Sequence, residues 1–264
     1  MLTEVRNHIK LIFTSLKYNL LKEMEYRVAF ISQVIGMILN NGSFIIQWII
    51  LFSLQSHFGG YLFEDVMLIW AVAAGAYGLN RIIFGNSINI SNYVLTGKLD
   101  SYLVQPKNVL LNLIVSRSSA SAIGDLLYGY IVIFIVGFTL ESIALYTILI
   151  LIGAIIFTAF TIIMQSLAFW LGRAEGIAAG VENAMLMPST YPEGLFSGVV
   201  KTILFTVIPV GYMVYLPVRI LRQFDILTML SLLGFTALIV VIAVFIFYRG
   251  LKRYSSSNLM IVRM

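Results

Sequence analysis

Long uninterrupted apolar runs constrain this chain more than any other feature of its sequence. One run, Ile148–Ile156, contains no polar side chain. A mean hydropathy of +0.95 over 264 residues is too high for one anchor segment, because a single helical crossing needs only about 20 apolar residues. Strands of membrane barrels alternate apolar and polar residues, so unbroken runs favour helices. The sequence therefore predicts an all-α integral membrane protein.

The apolar segments predict a six-span transmembrane domain over residues 28–250. A cytoplasmic helix precedes it over 1–27, and a cytoplasmic tail follows over 251–264. The predicted spans are 28–54, 62–84, 118–139, 144–167, a short small-residue helix over 173–187, and 226–248.

Residues 3–25 carry an amphipathic pattern. Apolar residues recur there at spacings of three and four, while three lysines lie elsewhere on the helical wheel. The pattern indicates an interfacial helix on the membrane surface, or alternatively a soluble helical lead-in that packs on a partner. No cleaved-signal pattern precedes the first span, so we expect that span to stay in the protein.

Four of the five prolines fall within thirty residues, at Pro188, Pro192, Pro209 and Pro217. Proline cannot donate a helical hydrogen bond, and broken backbone in hydrocarbon must be buried in protein or face water. Re-entrant or interfacial helices are therefore expected over 188–222, before the last span. One proline-kinked helix is the alternative.

The basic residues predict the orientation. In a six-span arrangement all but three of the 17 Lys and Arg residues fall on one side, which makes both termini cytoplasmic in a multi-pass protein of the cell membrane. The exceptions are Lys201, Arg219 and Arg222. Because the bases flank apolar segments and form no single patch, no nucleic-acid partner is expected.

Catalytic motifs are missing from the sequence. It has no G-x-x-x-x-G-K-[ST] phosphate loop, no cysteine, and only two histidines, His8 and His57, which form no two-histidine zinc motif. We therefore expect no catalytic residue, no metal site and no ATP hydrolysis by this chain alone.

The longest polar connection, 85–112, has a short amphipathic turn at its centre. It could dock on a soluble partner through Leu99, Tyr102 and Leu103 while Lys98 and Asp100 stay in water. The alternative is a solvated loop without a partner.

Several short motifs resemble one family in their order and spacing. They are Glu25-Tyr26-Arg27, the stretch Thr96-Gly97-Lys98-Leu99-Asp100-x-Tyr102-Leu103-x-x-Pro106, Tyr191-Pro192, Ile208-Pro209, Leu216-Pro217, and the tail Gly250–Tyr254. Together they cover nearly the whole chain, which resembles the ABC-2 type exporter permeases.

This resemblance implies a half-transporter that pairs with a second permease, identical or different, and with two cytoplasmic ATPase subunits that hold ATP and Mg²⁺. It also implies re-entrant helices between spans five and six. The residues matching the family's ATPase-coupling helix are Gly97, Lys98, Leu99, Asp100, Tyr102, Leu103 and Pro106. A secondary transporter coupled to ions or protons, or a scaffold that tethers an ATPase, are the alternatives.

Two further sets of residues are candidate sites. Gly172, Gly176, Gly180 and Ala184 recur every four residues, a spacing that lets helices approach closely within the chain or between two permeases. Asp125 and Glu182 are carboxylates inside predicted spans, where ionisable groups usually face a cavity or a polar partner. Either could line a translocation path or make a structural contact.

Overall fold

The computed structural model describes residues 2–137, 139–171 and 175–255, which fold into helices joined by short turns. The helices are α1 (Leu2–Glu23), α2 (Arg27–Leu54), α3 (Phe63–Ile83), α4 (Ile90–Leu95), α5 (Asp100–Leu103), α6 (Val109–Ile114), α7 (Ser121–Val136), α8 (Leu140–Ser166), α9 (Ala168–Leu171), α10 (Glu175–Leu186), α11 (Gly198–Thr206), α12 (Leu216–Arg222) and α13 (Ile226–Leu251). The predicted all-α architecture is confirmed.

Four helical stretches are long and apolar enough to cross a bilayer: α2, α3, α8 continued through α9, and α13. A fifth is added if α11 and Gly211–Arg222 count as one bent span. Helix α7 is apolar but has 16 residues, so it is about 24 Å long. The structure therefore has four to five candidate spans, as suits a membrane protein, while the number of six crossings stays a prediction.

Helix α3 is the centre of the bundle. It is almost entirely buried and packs against α2, α7 and α8, with α12 beside its first turns. Helices α2 and α13 lie on the outside, and most of their apolar side chains are exposed. Exposed apolar surface of this extent on long helices is typical of contact with lipid tails or with another membrane subunit.

Glycines let α3 and α7 approach closely. A Cβ added at Gly78 would lie 2.9 Å from the carbonyl oxygen of Ala122, and one added at Gly129 would lie 2.9 Å from that of Ala71. The same carbonyl of Ala71 accepts a hydrogen bond of 2.8 Å from the Tyr146 hydroxyl on α8. Three helices therefore meet through small residues and one hydrogen bond, the kind of contact that holds helices together in lipid.

The two ends of the bundle carry different elements of the chain. We call the end that carries α1, residues 84–120 and the C-terminus of α13 the α1 end. The opposite end, the distal end, carries the connections 55–62, 191–197 and 223–225. At the α1 end, Asn19 of α1 donates a hydrogen bond of 3.0 Å to the Val115 carbonyl, while Leu11 and Ile12 pack on the core.

The proline-rich segment is not one straight helix. Two 3₁₀ turns, Pro188–Thr190 and Glu193–Leu195, are followed by α11. Helix α11 and the next helical stretch, which begins as a π-turn at Gly211, meet at an angle of 75°. Pro209 lies at this break, where its missing N–H removes a helical hydrogen bond. The geometry fits either a broken span or a re-entrant loop.

Candidate functional site

The surface turn around α5 is anchored firmly to its own chain. Gly97 adopts a left-handed φ of 71°, which reverses the chain just before α5. Leu99 inserts into the core, and the Tyr102 hydroxyl donates a hydrogen bond of 3.0 Å to Ser116 Oγ. Asn86 donates to the same Ser116 oxygen at 2.7 Å. The turn is therefore tied to the segments on both sides of it.

This packing corrects one part of the predicted docking surface. Leu99 is 0% exposed and contacts its own hydrophobic core, so the prediction that it contacts a partner is wrong. Leu103 is 40% exposed and the adjacent Val104 is 83% exposed, so these two side chains form the apolar tip of the turn. Sequence reasoning overlooked Val104, although an apolar residue at the end of a short polar turn was a visible signal.

The polar residues of the turn divide between water and the chain. Lys98 and Pro106 are exposed, whereas Asp100 is half-buried. Asp100 lies close to Tyr254, and burial together with this nearby carboxylate raises the pKa of the Tyr254 hydroxyl. The chain after α13 therefore packs beside the turn, and Asp100, which was expected to stay in water, is half-buried.

A polar cavity of about 440 Å³ opens at the α1 end between α2, α3 and α7. Tyr77, Arg81 and Asp125 line its inner part, and Arg117 lines its rim. Asp125 is 4% exposed and accepts a hydrogen bond of 2.7 Å from the Asn41 amide on α2. Its second carboxylate oxygen has no hydrogen-bond partner among the described residues. The cavity therefore contains a polar group that could accept a ligand hydrogen bond.

Glu182 has a different environment. Its carboxylate forms an ion pair with Arg81, and both side chains are largely buried. Arg81 also stacks over the Tyr77 ring at 5.1 Å. Glu182 is thus paired with Arg81, and Arg81 lines the same cavity as Asp125. A basic residue inside a predicted span was the signal for Arg81, which the sequence reasoning treated only as an orientation marker.

The three basic residues that broke the charge rule all have acidic partners at the distal end. Lys201 contacts Glu193 at 2.8 Å, and Arg219 donates two hydrogen bonds to the same carboxylate, one of them 2.7 Å long. Arg222 pairs with Asp65 at the start of α3. Sequence reasoning missed both carboxylates, since only the excess of positive charge was noticed.

Glu193 is 2% exposed, yet its carboxyl is held in the charged form. Burial by itself raises its pKa, but the hydrogen bonds and positive charges of Lys201 and Arg219 outweigh burial and leave the pKa below its ordinary value. The basic side chains at the distal end are therefore paired with carboxylates in a charge cluster.

The small-residue stripe does not mediate the closest contacts seen in this chain. Gly176 and Gly180 are exposed, and a Cβ added at either would meet nothing within 4 Å among the described residues. Ala184 is half-buried, and Gly172 lies outside the described residues. An exposed face on α10 is therefore available for contact with another molecule.

The described residues contain no group of three or more His, Asp or Glu side chains placed to hold a metal ion. Among the described residues, the α5 turn, the polar cavity and the distal charge cluster are candidates for a role in transport.

Comparison with known proteins identifies the family. The sequence model of one protein family, described as ABC-2 family transporter protein, matches residues 37–258. The match runs from the middle of α2 to the end of α13. Neither the curated proteins nor the solved structures contain a significant match to this chain. The matched region also contains the α5 turn and the cavity lined by Asp125 and Arg81. The chain belongs to the ABC-2 family of transporter proteins, as a membrane permease.

Proposed function

We propose that this chain is the membrane-spanning half of an ATP-driven exporter of the cell membrane. It would pair with a second permease and be driven by separate ATPase subunits, in which ATP and Mg²⁺ are bound and hydrolysed. Family membership supports the transport role. The observation that carries the coupling role is the apolar tip Leu103–Val104, exposed on a turn whose base is anchored in the core.

An exposed tip on an anchored base suits a contact that must transmit movement. Side chains that only faced water would need neither the buried Leu99 nor the hydrogen bond between Tyr102 and Ser116. Residues Gly97, Lys98 and Asp100 shape and flank the turn, and Pro106 follows its tip. The ATPase would contact Leu103 and Val104, with Lys98 at the margin.

The proposed topology has six crossings with the α1 end in the cytoplasm. Helix α10 and the turn after it form the fifth crossing, since Glu182 lies beside Arg81 near the α1 end while Gly194 contacts Gly59 at the distal end. Glu193 then lies beyond the membrane at the distal surface. The basic residues that broke the charge rule are paired there, so they argue little against this orientation.

Helices α11 and α12 form the proposed re-entrant element. The segment leaves the distal end near Leu195, which contacts Gly59, and returns to it at Arg222, which pairs with Asp65. A chain that starts and finishes at one end of the bundle enters the membrane without crossing it.

The cavity between α2, α3 and α7 is the proposed cytoplasmic part of the path. ATP-driven movement of the α5 turn would change the packing of its walls, and the two arrangements would bind cargo differently. The exposed glycines of α10 and the outer face of α2 are the surfaces available to the second permease.

Replacement of Leu103 by Asp tests the coupling role. The matched control is Leu62→Asp, because Leu62 is also an exposed leucine, at 50%, but lies at the distal end. We expect Leu103→Asp to abolish co-purification of the ATPase from the native membrane, or its cargo-stimulated activity, while Leu62→Asp retains both.

Equal retention of ATPase binding and stimulation in both variants would refute the coupling role. Complete absence of an ATPase from the native complex would favour the secondary transporter. An ATPase that binds without any cargo flux would favour a tethering scaffold.

A further inference from the structure

Two cavities at the α1 end share lining residues. A polar cavity of about 680 Å³ lies between the first turns of α1 and residues 105–108. An apolar cavity of about 240 Å³ lies between α6, α8 and α13. His8 and Asn108 line both of them, so the two cavities are neighbours, one polar and one apolar, with these two side chains between them.

The polar part is basic. Lys10 of α1 and Lys107 after the α5 turn line it from two directions, together with the hydroxyl of Thr14 and the amide of Gln105. Glu4 adds a carboxylate at the rim. Two lysines from separate segments line this cavity against one carboxylate, so its lining favours a negatively charged group.

The apolar part has the opposite character and lies within the bundle. Ile155, Ala159 and Ile162 line it from α8, and Val240 and Val244 line it from α13. Along α13 the lining extends from Val240 to Tyr248, which corresponds to about 12 Å of helix. Val244 is 40% exposed on the outer surface of α13, so the cavity is open towards the surroundings of the bundle.

We propose that the two cavities bind one anionic phospholipid from the leaflet at the α1 end. Lys10 and Lys107 hold the phosphate group, His8 and Asn108 contact the glycerol region, and an acyl chain fills the cavity between α8 and α13. The site depends on the chain lying in a bilayer and not on the ATPase-coupling role.

Charge and shape together select this ligand. A soluble anion would use the lysines and leave the apolar cavity without a ligand, whereas a neutral lipid would use the apolar cavity and leave the lysines unpaired. The positions of the two cavities also match those of a lipid in a leaflet. The polar cavity lies beside α1, which has the pattern of an interfacial helix, and the apolar cavity lies beside α13, a candidate span. One ligand satisfies both parts only if it has an anionic head and an apolar tail.

Lipid binding to the detergent-solubilised full chain, followed by native mass spectrometry, tests the headgroup contact. Phosphatidylglycerol and phosphatidylcholine with identical acyl chains are the probes. We expect the preference for phosphatidylglycerol over phosphatidylcholine to fall about fivefold for each lysine replaced in the double variant Lys10→Gln, Lys107→Gln. The control is the double variant Lys17→Gln, Lys22→Gln, which removes the same charge from α1 outside the cavity and should keep the preference. An equal loss in both double variants would overturn the proposal.

The unaltered chain provides the second test, which is independent of variant folding. Phosphatidylglycerol with a photoreactive group in its acyl chain should label the peptides containing residues 155–162 and 240–248. Excess soluble glycerol phosphate should not prevent this labelling. Labelling spread evenly over the exposed face of α2, or its complete loss with glycerol phosphate, would refute a lipid site.

Discussion

Replacement of Glu193 by Gln tests whether the distal charge cluster stabilises the fold. The substitution keeps the size of the side chain but removes the negative charge that faces Lys201 and Arg219. Because Glu193 is 2% exposed, water cannot hydrate the side chain at position 193 in place of the lost ion pairs. We therefore expect Glu193→Gln to lower the melting temperature of the detergent-solubilised protein.

The magnitude follows from the exposure of the partners. Breaking a fully buried ion pair costs about 3–5 kcal/mol, since the remaining charge is left without solvent. Here the Lys201 and Arg219 side chains are 47% and 55% exposed, so both charges keep part of their hydration. The expected loss is therefore about 1–2 kcal/mol, between the values for exposed and buried pairs.

The pH dependence of stability gives an independent measurement. The folded pKa of Glu193 lies below its ordinary value of 4.5. Its stabilising contribution is therefore fully present above pH 4.5 and is lost as the pH falls through the folded pKa. A thermal scan at a series of pH values should show this acid loss in the unaltered chain and a smaller one in Glu193→Gln.

Glu141→Gln is the matched control, because Glu141 is an exposed glutamate at the start of α8 near the same end. It should lower the melting temperature by less than Glu193→Gln does, because an exposed carboxylate loses little stability on neutralisation. If Glu193→Gln and Glu141→Gln have the same melting temperature at neutral pH, the assignment of a stabilising role to the cluster is wrong.

Three further predictions concern the bundle interior. Arg81→Gln and Glu182→Gln should each destabilise the protein by about 3 kcal/mol or more, and the double variant should lose less than the sum, as a double-mutant cycle of melting would show. Gly78→Val should disrupt packing of α3 on α7, whereas Gly176→Val, at a site with open space, should leave the monomer's melting temperature unchanged. Asp125→Ala should reduce cargo flux in reconstituted vesicles while ATPase binding persists; unchanged flux would remove Asp125 from the path.

Helix positions could be predicted from the sequence because hydrocarbon imposes a strict length and apolar pattern on each crossing. The predicted span over 62–84 corresponds to α3, Phe63–Ile83, and the last over 226–248 begins at the same residue as α13. The break in the proline-rich segment was also predictable, because Pro209 removes a donor. The angle of 75° was not, since it depends on contacts with other helices.

Side-chain partners were much harder to predict than helices. Leu99 was expected to face a partner, because an apolar residue in a polar loop suggests docking, but its own chain covers it. The pairing of Arg222 with Asp65 joins positions separated by over 150 residues. Pairing of this kind depends on tertiary arrangement, which local pattern does not specify.

The anchoring of the α5 turn has a mechanical consequence. Ser116 accepts hydrogen bonds from Tyr102 and Asn86, and two residues further along Ser118 donates one of 2.6 Å to the Ile82 carbonyl at the end of α3. The turn is thus linked to the end of α3 by hydrogen bonds at Ser116 and Ser118, two residues apart in the connection between α6 and α7. The proposed ATPase contact at Leu103 is therefore connected through Ser116 and Ser118 to the turn of α3 that carries Arg81, a charged residue inside the bundle.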